Sequence, residues 1–524
     1  MSKRLLLLLT LFSLPFYNVK LEGAFYPEST FFTQDPSFFL HTIERGQTVY
    51  SISVMYNVPM DEIYRLNPAS KTVIRAGDVL KIPQESSSYL YHTILPKETL
   101  YGLAQKYYMK GEDIIAANPG LSVATFLIGK TIRIPTNLVT TPIEGGNETA
   151  NSNKTNSLLS QVRPAREVNG IKIALLLSFG LKENTQTKAK MAEYLEGFLL
   201  AIGDMKKKGV SVHLQVYDIG SDTKKISNLL KDKKLQDIHL LISGGSDEQI
   251  KLLSRFSKEN DIPYLIPFSS QSDEPFSNPR IFQVNTPQPY LYSKASYAFI
   301  NKYGRDNIII ASNGTDTSGK NDFINLIKQD LQEKNIPYKT VTLGANFFKD
   351  LQPLLSNSQK NVILPSDDSR ETLSKLTPAL KSIVESQPNL SLSLFGYPQW
   401  QTYTDTYSDV FFRLNTTFYT LFYSDPTALD VRVFYSNFYK KFSRLLIETF
   451  PKFGMLGYDT GMYFIQLVHT YGSQFSDRIN DTRYDGVQTD FYFERLNNWS
   501  GFINTSMYFI NYNSDYSITK NLIK

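Results

Sequence analysis

Residues 41–83 read HTIERGQTVYSISVMYNVPMDEIYRLNPASKTVIRAGDVLKIP, and residues 92–135 read HTILPKETLYGLAQKYYMKGEDIIAANPGLSVATFLIGKTIRIP. His41-Thr42-Ile43 returns as His92-Thr93-Ile94, Thr48 and Tyr50 as Thr99 and Tyr101, and Asn67-Pro68 as Asn118-Pro119, all at a spacing of 51. One inserted residue later, Gly77, Ile82 and Pro83 return as Gly129, Ile134 and Pro135. The chain therefore contains one small unit written twice. A unit of about 45 residues sits near the lower size limit for burying its own apolar face.

The residues of the unit dictate its elements. Residues 39–43 form a short extended run, and Gly46-Gln47-Thr48 is a turn whose Thr can cap the helix that follows. Val49, Ile52, Met55 and Tyr56 recur at helical spacing until Pro59 stops them. Ile63 and Leu66 pin a second short helix, and Asn67-Pro68 ends it because the residue before a proline is driven out of the helical region. Residues 79–83 make a closing strand, so the order is β-α-α-β. Leu100, Leu103, Tyr107, Ile114 and Ile132 repeat this reading in the second copy.

On the starting His-Thr-Ile, the loop Gly-Gln-Thr-Val-Tyr, the helix end Leu-Asn-Pro and the closing Ala-Gly-Asp-Val-Leu-Lys-Ile-Pro, the unit resembles the lysin motif (LysM). The resemblance implies two repeats, at 39–84 and 90–136, each binding an N-acetylglucosamine-containing glycan (peptidoglycan or a chitin-like polymer) in a shallow groove between two loops. Carried onto this chain, the first groove is Gly46, Gln47, Thr48 and Val49 facing Asn67, Pro68, Ala69 and Ser70. The second is Glu98, Thr99 and Leu100 facing Asn118, Pro119, Gly120 and Leu121, with Lys97 standing where the first copy has Gly46. Backbone amides, small polar groups and an apolar wall suit a neutral acetamido sugar.

Around this pair the chain reads as an exported protein. Lys3-Arg4 precedes an apolar run over 5–16, too short to cross a bilayer and typical of a secretory signal peptide, expected over 1–24. Without any cysteine, the exported chain has no disulfides and no acylated cysteine of a lipoprotein. A net charge of +5 over 524 residues carries no nucleic-acid pattern, and no second long apolar run suggests an integral membrane protein. Residues 137–169, rich in Thr, Ser and Asn, read as a flexible linker.

From residue 170 to 524, apolar strands alternate with amphipathic helices. Strands are expected at 171–177, 210–217, 240–243 and 264–266, and then in a second series at 308–311, 362–364 and 392–395. Such alternation requires parallel sheets with right-handed crossovers, here two doubly wound α/β lobes in tandem. Ile-Lys-Ile-Ala-Leu-Leu-Leu, Glu-Gly-Phe-Leu-Leu-Ala-Ile, Ile-Ser-Gly-Gly-Ser and Ile-Pro-Tyr-Leu-Ile-Pro-Phe-Ser-Ser make this part similar to the type I periplasmic binding proteins. The resemblance implies lobe 1 at about 170–288 and 416–480, and lobe 2 at about 289–415 and 481–524. It also implies a small-molecule cleft beyond the strand ends. Matching positions are Gly245, Ser246, Ser269 and Ser270 in the first lobe, and Asp316, Ser366, Asp367, Tyr397 and Trp400 in the second.

Gly314 to Lys320 imitates a phosphate-binding loop, but Asn321 stands where the magnesium-ligating Ser or Thr belongs, and it reads as a plain strand-helix loop. The five histidines show no zinc spacing, no cysteine is available as nucleophile, and no Gly-x-Ser-x-Gly elbow is present. The expectation is a non-enzymatic protein without metal or cofactor, in the periplasm or cell envelope, whose repeats tether a binding-protein-like body to peptidoglycan. Alternatives are a solute-binding protein of a transport or sensing system for amino-acid-like ligands, a docking activator of peptidoglycan synthases, and, less favoured, a cell-wall hydrolase.

Overall fold

The computed structural model describes residues 37–523 apart from 45–46, 72–73, 85–87, 108, 137–152, 154, 161–167, 169, 180–184 and 314–319. The expected signal peptide, most of the expected linker, Gly46, Asp316 and most of the phosphate-loop mimic lie outside the described residues.

Each repeat is β-α-α-β. In the first, β1 (Phe38–Thr42), α1 (Val49–Tyr56), α2 (Met60–Leu66) and β2 (Val79–Pro83) follow one another, with β1 and β2 antiparallel and Phe39 opposite Ile82. In the second, β3 (Tyr89–Thr93), α3 (Leu100–Lys106), α4 (Gly111–Ala117) and β4 (Thr131–Pro135) repeat the plan, with Leu90 opposite Ile134. Thr48 accepts the Ser51 N–H at 3.1 Å while the Ser51 hydroxyl accepts the Thr48 N–H at 2.9 Å, a reciprocal cap on α1. Gly77 and Gly129 hold φ of 92° and 83°, which explains why that glycine recurs. Lys97 also adopts a left-handed backbone, φ 70°, although it carries a side chain where the first copy has glycine.

The body contains two seven-stranded sheets. The first runs β15-β16-β9-β8-β7-β5-β6, where β5 is Ile171–Leu177, β6 Val212–Asp218, β7 Leu240–Ser243, β8 Tyr264–Ile266, β9 Ile281–Gln283, β15 Phe493–Arg495 and β16 Phe502–Asn504. The second runs β11-β10-β12-β13-β14-β17-β18, where β10 is Asn307–Ser312, β11 Tyr338–Thr342, β12 Asn361–Pro365, β13 Leu392–Gly396, β14 Thr417–Thr420, β17 Met507–Tyr512 and β18 Ile518–Ile523. Both sheets have a parallel core in the order second-first-third-fourth-fifth; in the first sheet β16 extends it in parallel and β15 closes it antiparallel, and in the second β17 and β18 close it antiparallel. This is the two-lobed architecture expected of a type I periplasmic-binding-protein-like domain.

The lobe boundaries need correction. β14 was expected to begin the return to lobe 1, but Phe395 pairs with Thr417, so β14 belongs to lobe 2. β15 and β16, placed in lobe 2 from the sequence, belong to lobe 1, because Phe502 pairs with Phe282. The chain thus crosses between lobes after β9, after β14 and after β16. Lobe 1 is secured by helix Phe453–Tyr471 lying on helix Thr185–Lys207. A Cβ on Gly457 would stand 2.0 Å from the Tyr194 carbonyl oxygen, so only glycine permits that backbone approach.

The repeats do not stand apart from this body. Their strands β1 and β3 lie side by side, and Glu44 of the first repeat pairs with Lys130 of the second at 2.6 Å. Trp499, in the turn between β15 and β16, is 1% exposed and shares one apolar cluster with Phe39, Ile52 and Tyr56 of the first repeat and with Phe276 of lobe 1. The Arg133 guanidinium sits 4.5 Å from the Trp499 ring, and the Gly120 N–H donates to the Asn498 carbonyl at 2.7 Å. A tether swinging free of its cargo does not describe this arrangement.

Candidate functional sites

In both repeats most polar side chains of the expected grooves are used to build the loops. Gln47 Oε1 accepts the Glu44 N–H at 2.9 Å and lies 2.7 Å from His41 Nε2, whose other ring nitrogen is 2.8 Å from the Tyr56 hydroxyl. Because the Gln47 oxygen can only accept, His41 carries its proton on Nε2 and accepts the Tyr56 O–H through Nδ1. Burial pushes the His41 ring below its ordinary pKa, so it stays neutral. Glu98, His92 and Tyr107 reproduce the chain, at 2.7 Å and 2.9 Å. Asn67 Oδ1 accepts the Lys81 N–H at 2.9 Å while its amide donates to Ile63 and Lys81 carbonyls, tying the end of α2 to β2. Asn118 does the same between α4 and β4, through Ile114 and Arg133.

Thr48 and Thr99 are helix caps, Val49, Leu100 and Leu121 are core, and the Ser70 hydroxyl donates to the Asn67 carbonyl at 2.7 Å. Pro68, Ala69 and Pro119 are exposed. Groove surface in these repeats is therefore backbone with small apolar edges. In the second, Gly120 is pressed against the body, and a Cβ there would stand 2.4 Å from Arg495 Cδ.

The Gln47/Glu98 difference between the copies has a measurable consequence. Burial alone would raise the Glu98 carboxyl, but the His92 ring, the Leu95 N–H and Lys106 together hold it down at about 2. The stability these bonds supply is complete above about pH 4.5 and is lost as pH falls toward 2, because the unfolded chain then binds the proton more readily. Glu98→Gln, which copies the first repeat, is expected to remove this acid step from denaturation midpoints measured between about pH 5 and 2.

In lobe 1, Gly245, Ser246, Ser269 and Ser270 converge with Ser178 and Gln271 on an opening of about 550 Å³ at the carboxyl ends of β5 and β7. The sheet order reverses between these two strands, the place where open α/β sheets bind ligands. Ser246 caps helix Asp247–Glu259 and its hydroxyl donates to Glu248 at 2.9 Å. Asp247 also lines the opening and opposes an anionic group there.

The second-lobe positions behave differently. Asp367 is buried and accepts the Ser369 N–H at 2.6 Å, and Ser366 is buried and accepts from the Asn313 N–H. Tyr397 and Trp400 were expected to cover a ligand, but both are fully buried. The Tyr397 hydroxyl donates to the Pro365 carbonyl at 2.6 Å, and Trp400 stacks on Phe411 at 5.6 Å, so they are core of lobe 2 and not cleft wall. Lys320, the described cation of the phosphate-loop mimic, pairs with Asp368 at 3.2 Å. Among the described residues, no group of three or more His, Cys, Asp or Glu could hold a metal ion, and no helix is long and apolar enough to cross a membrane.

Sequence reasoning missed Trp499 and its turn, although Trp499 is one of only two tryptophans and sits in an Asn-Asn-Trp-Ser-Gly run that reads as a surface turn.

Comparison with known proteins identifies the small modules. The model of the LysM domain matches residues 41–83 and 92–135, so the chain carries two LysM domains. A curated relative from Bacillus subtilis (strain 168), named "Putative sporulation-specific glycosylase YdhD", is 35% identical over 97 residues, which is 18% of this chain. The matched region spans only 22% of that relative's length. Among solved structures, an ABC transporter substrate-binding protein from Sphaerobacter thermophilus aligns over 68% of this chain and 97% of its own, at 12% identity and a TM-score of 0.44. An ABC-type branched-chain amino acid transporter protein from Rhodopseudomonas palustris aligns over 68% and 96%, at 14% identity and a TM-score of 0.46.

Proposed function

We propose that this chain is an exported, non-catalytic envelope protein whose paired LysM domains bind N-acetylglucosamine-containing glycan such as peptidoglycan and hold the two-lobed body against it. The observation that carries this reading is the double match to the LysM domain, at 41–83 and 92–135, on two modules braced in the same way. Grooves of backbone and small apolar edges suit a neutral sugar better than a charged ligand. The non-catalytic reading is supported by His41 and His92, which act as loop braces and not as acids or bases. The full-length protein, used whole because the first repeat shares its core with Trp499, is expected to sediment with insoluble peptidoglycan. Retention in the supernatant at every glycan concentration overturns the reading.

A second reading, solute binding by the body, is favoured by the lobe 1 opening of about 550 Å³, which lies within the usual range for small-ligand pockets. Thermal stabilisation by one member of a panel of amino acids and muropeptides supports it.

A further inference from the structure

Between the two repeats and the body lies an opening of about 260 Å³ that neither repeat forms alone. Gln47 and Glu44 come from the first loop of repeat 1, Thr125 and Lys130 from the second loop of repeat 2, and Asn497 and Trp499 from the turn between β15 and β16. The composite therefore joins half of each repeat's loop pair and adds a third wall that isolated LysM domains lack.

Two side-chain donors on that third wall, Asn497 Nδ2 and Trp499 Nε1, are shielded from solvent and have no acceptor among the described residues. The amide orientation of Asn497 is fixed, because its oxygen accepts the Trp499 backbone N–H at 2.9 Å, which leaves the NH2 as the unpaired end. Buried donors without partners are rare in folded proteins and call for a ligand or ordered water. Of the charged groups of the opening, Glu44 and Lys130 neutralise each other at 2.6 Å, while the Arg495 guanidinium donates to the Ser500 carbonyl at 2.6 Å and lies over the Phe502 ring at 4.2 Å. Met55 and Leu127 supply an apolar edge. Two N–H donors beside an apolar edge match the carbonyl oxygen and the methyl group of an acetyl. The volume suits about one sugar unit, being just below the range of about 300 Å³ upward for larger ligands.

We propose that this composite opening seats an N-acetyl group of the bound glycan, so that the body itself contributes to recognition through Asn497 and Trp499. The proposal rests on the reading that the repeats bind such a glycan. It predicts that the carbohydrate reports on Trp499, which Trp400→Phe leaves as the sole indole of the full-length chain. Titration of that variant with a soluble N-acetylglucosamine tetramer is expected to change the Trp499 emission. Asn497→Asp keeps the acceptor for the Trp499 backbone N–H and removes the donor. It is expected to bind the tetramer about tenfold more weakly with an unchanged melting temperature. If the full-length protein sediments with peptidoglycan while Trp499 emission stays flat and Asn497→Asp binds as tightly as the wild type, the sugar sits elsewhere on the repeats. That result overturns the composite site and leaves the glycan-binding reading standing. If neither protein binds insoluble peptidoglycan or the tetramer, both are overturned.

Discussion

Trp499→Ala is expected to cost about 4 kcal/mol and to divide thermal unfolding into two transitions, one for the repeats and one for the body. The indole is 1% exposed, with Tyr91 5.6 Å away, Tyr56 5.9 Å away and the Arg133 guanidinium 4.5 Å from its ring. Truncation removes the largest apolar group that joins repeats to body, opens a cavity between them, and strips a largely buried guanidinium of the nearest of its three ring partners, leaving Tyr89 and Tyr91. Phe276 and the Tyr50–Asp273 hydrogen bond at 3.0 Å remain, but an exposed tyrosine contributes little. Calorimetry on the full-length protein reads the effect directly. A single transition at the wild-type temperature would show that the repeats are held by something other than this turn.

The same residue marks how far the sequence could be read. The repeats are legible because a unit of about 45 residues leaves few choices: buried apolar positions, Thr caps, a left-handed glycine and an Asn that ties helix to strand recur in order. The departure at Lys97 is visible in the sequence, and Lys97 adopts the left-handed backbone, φ 70°, despite its side chain. The parallel core strands were legible as apolar runs. The lobe assignment of β14 was not, since Thr-Phe-Tyr-Thr would suit either sheet and only its pairing with Phe395 decides. Tyr397 and Trp400 follow a strand end in sequence, which suggests a cleft, yet the segment folds back onto Phe411 and places both rings in the core. Docking through Trp499 depends on contacts across more than four hundred residues of chain, and no local pattern announces such a contact.

Asp459→Ala is expected to destabilise the body by about 4 kcal/mol, the scale of leaving several buried donors without an acceptor. Asp459, on helix Phe453–Tyr471, is fully buried and accepts the N–H groups of Val487, Gln488 and Thr489 at 2.9–3.0 Å and the Tyr484 hydroxyl at 2.9 Å. The segment it holds also accepts the Tyr423 N–H and donates from Thr489 to the Leu421 carbonyl, just beyond β14. One carboxyl thus fixes residues 487–489 against the start of the connection that leaves β14, and losing it leaves three backbone donors buried without partners. Burial pushes this carboxyl up to about 6, against the pull of those amides and of Tyr484. Since the unfolded group titrates near 3.8, the folded chain binds the proton more tightly. The associated stability is complete below about pH 4 and is lost as pH rises through about 6, a change of about 3 kcal/mol. Neither Asp459→Ala nor Asp459→Asn can titrate, so the stability of wild type relative to Asp459→Asn is expected to fall by that amount between about pH 4 and 7. Urea midpoints for the two proteins that run parallel across this interval would show that the four donors keep the carboxylate ionised throughout.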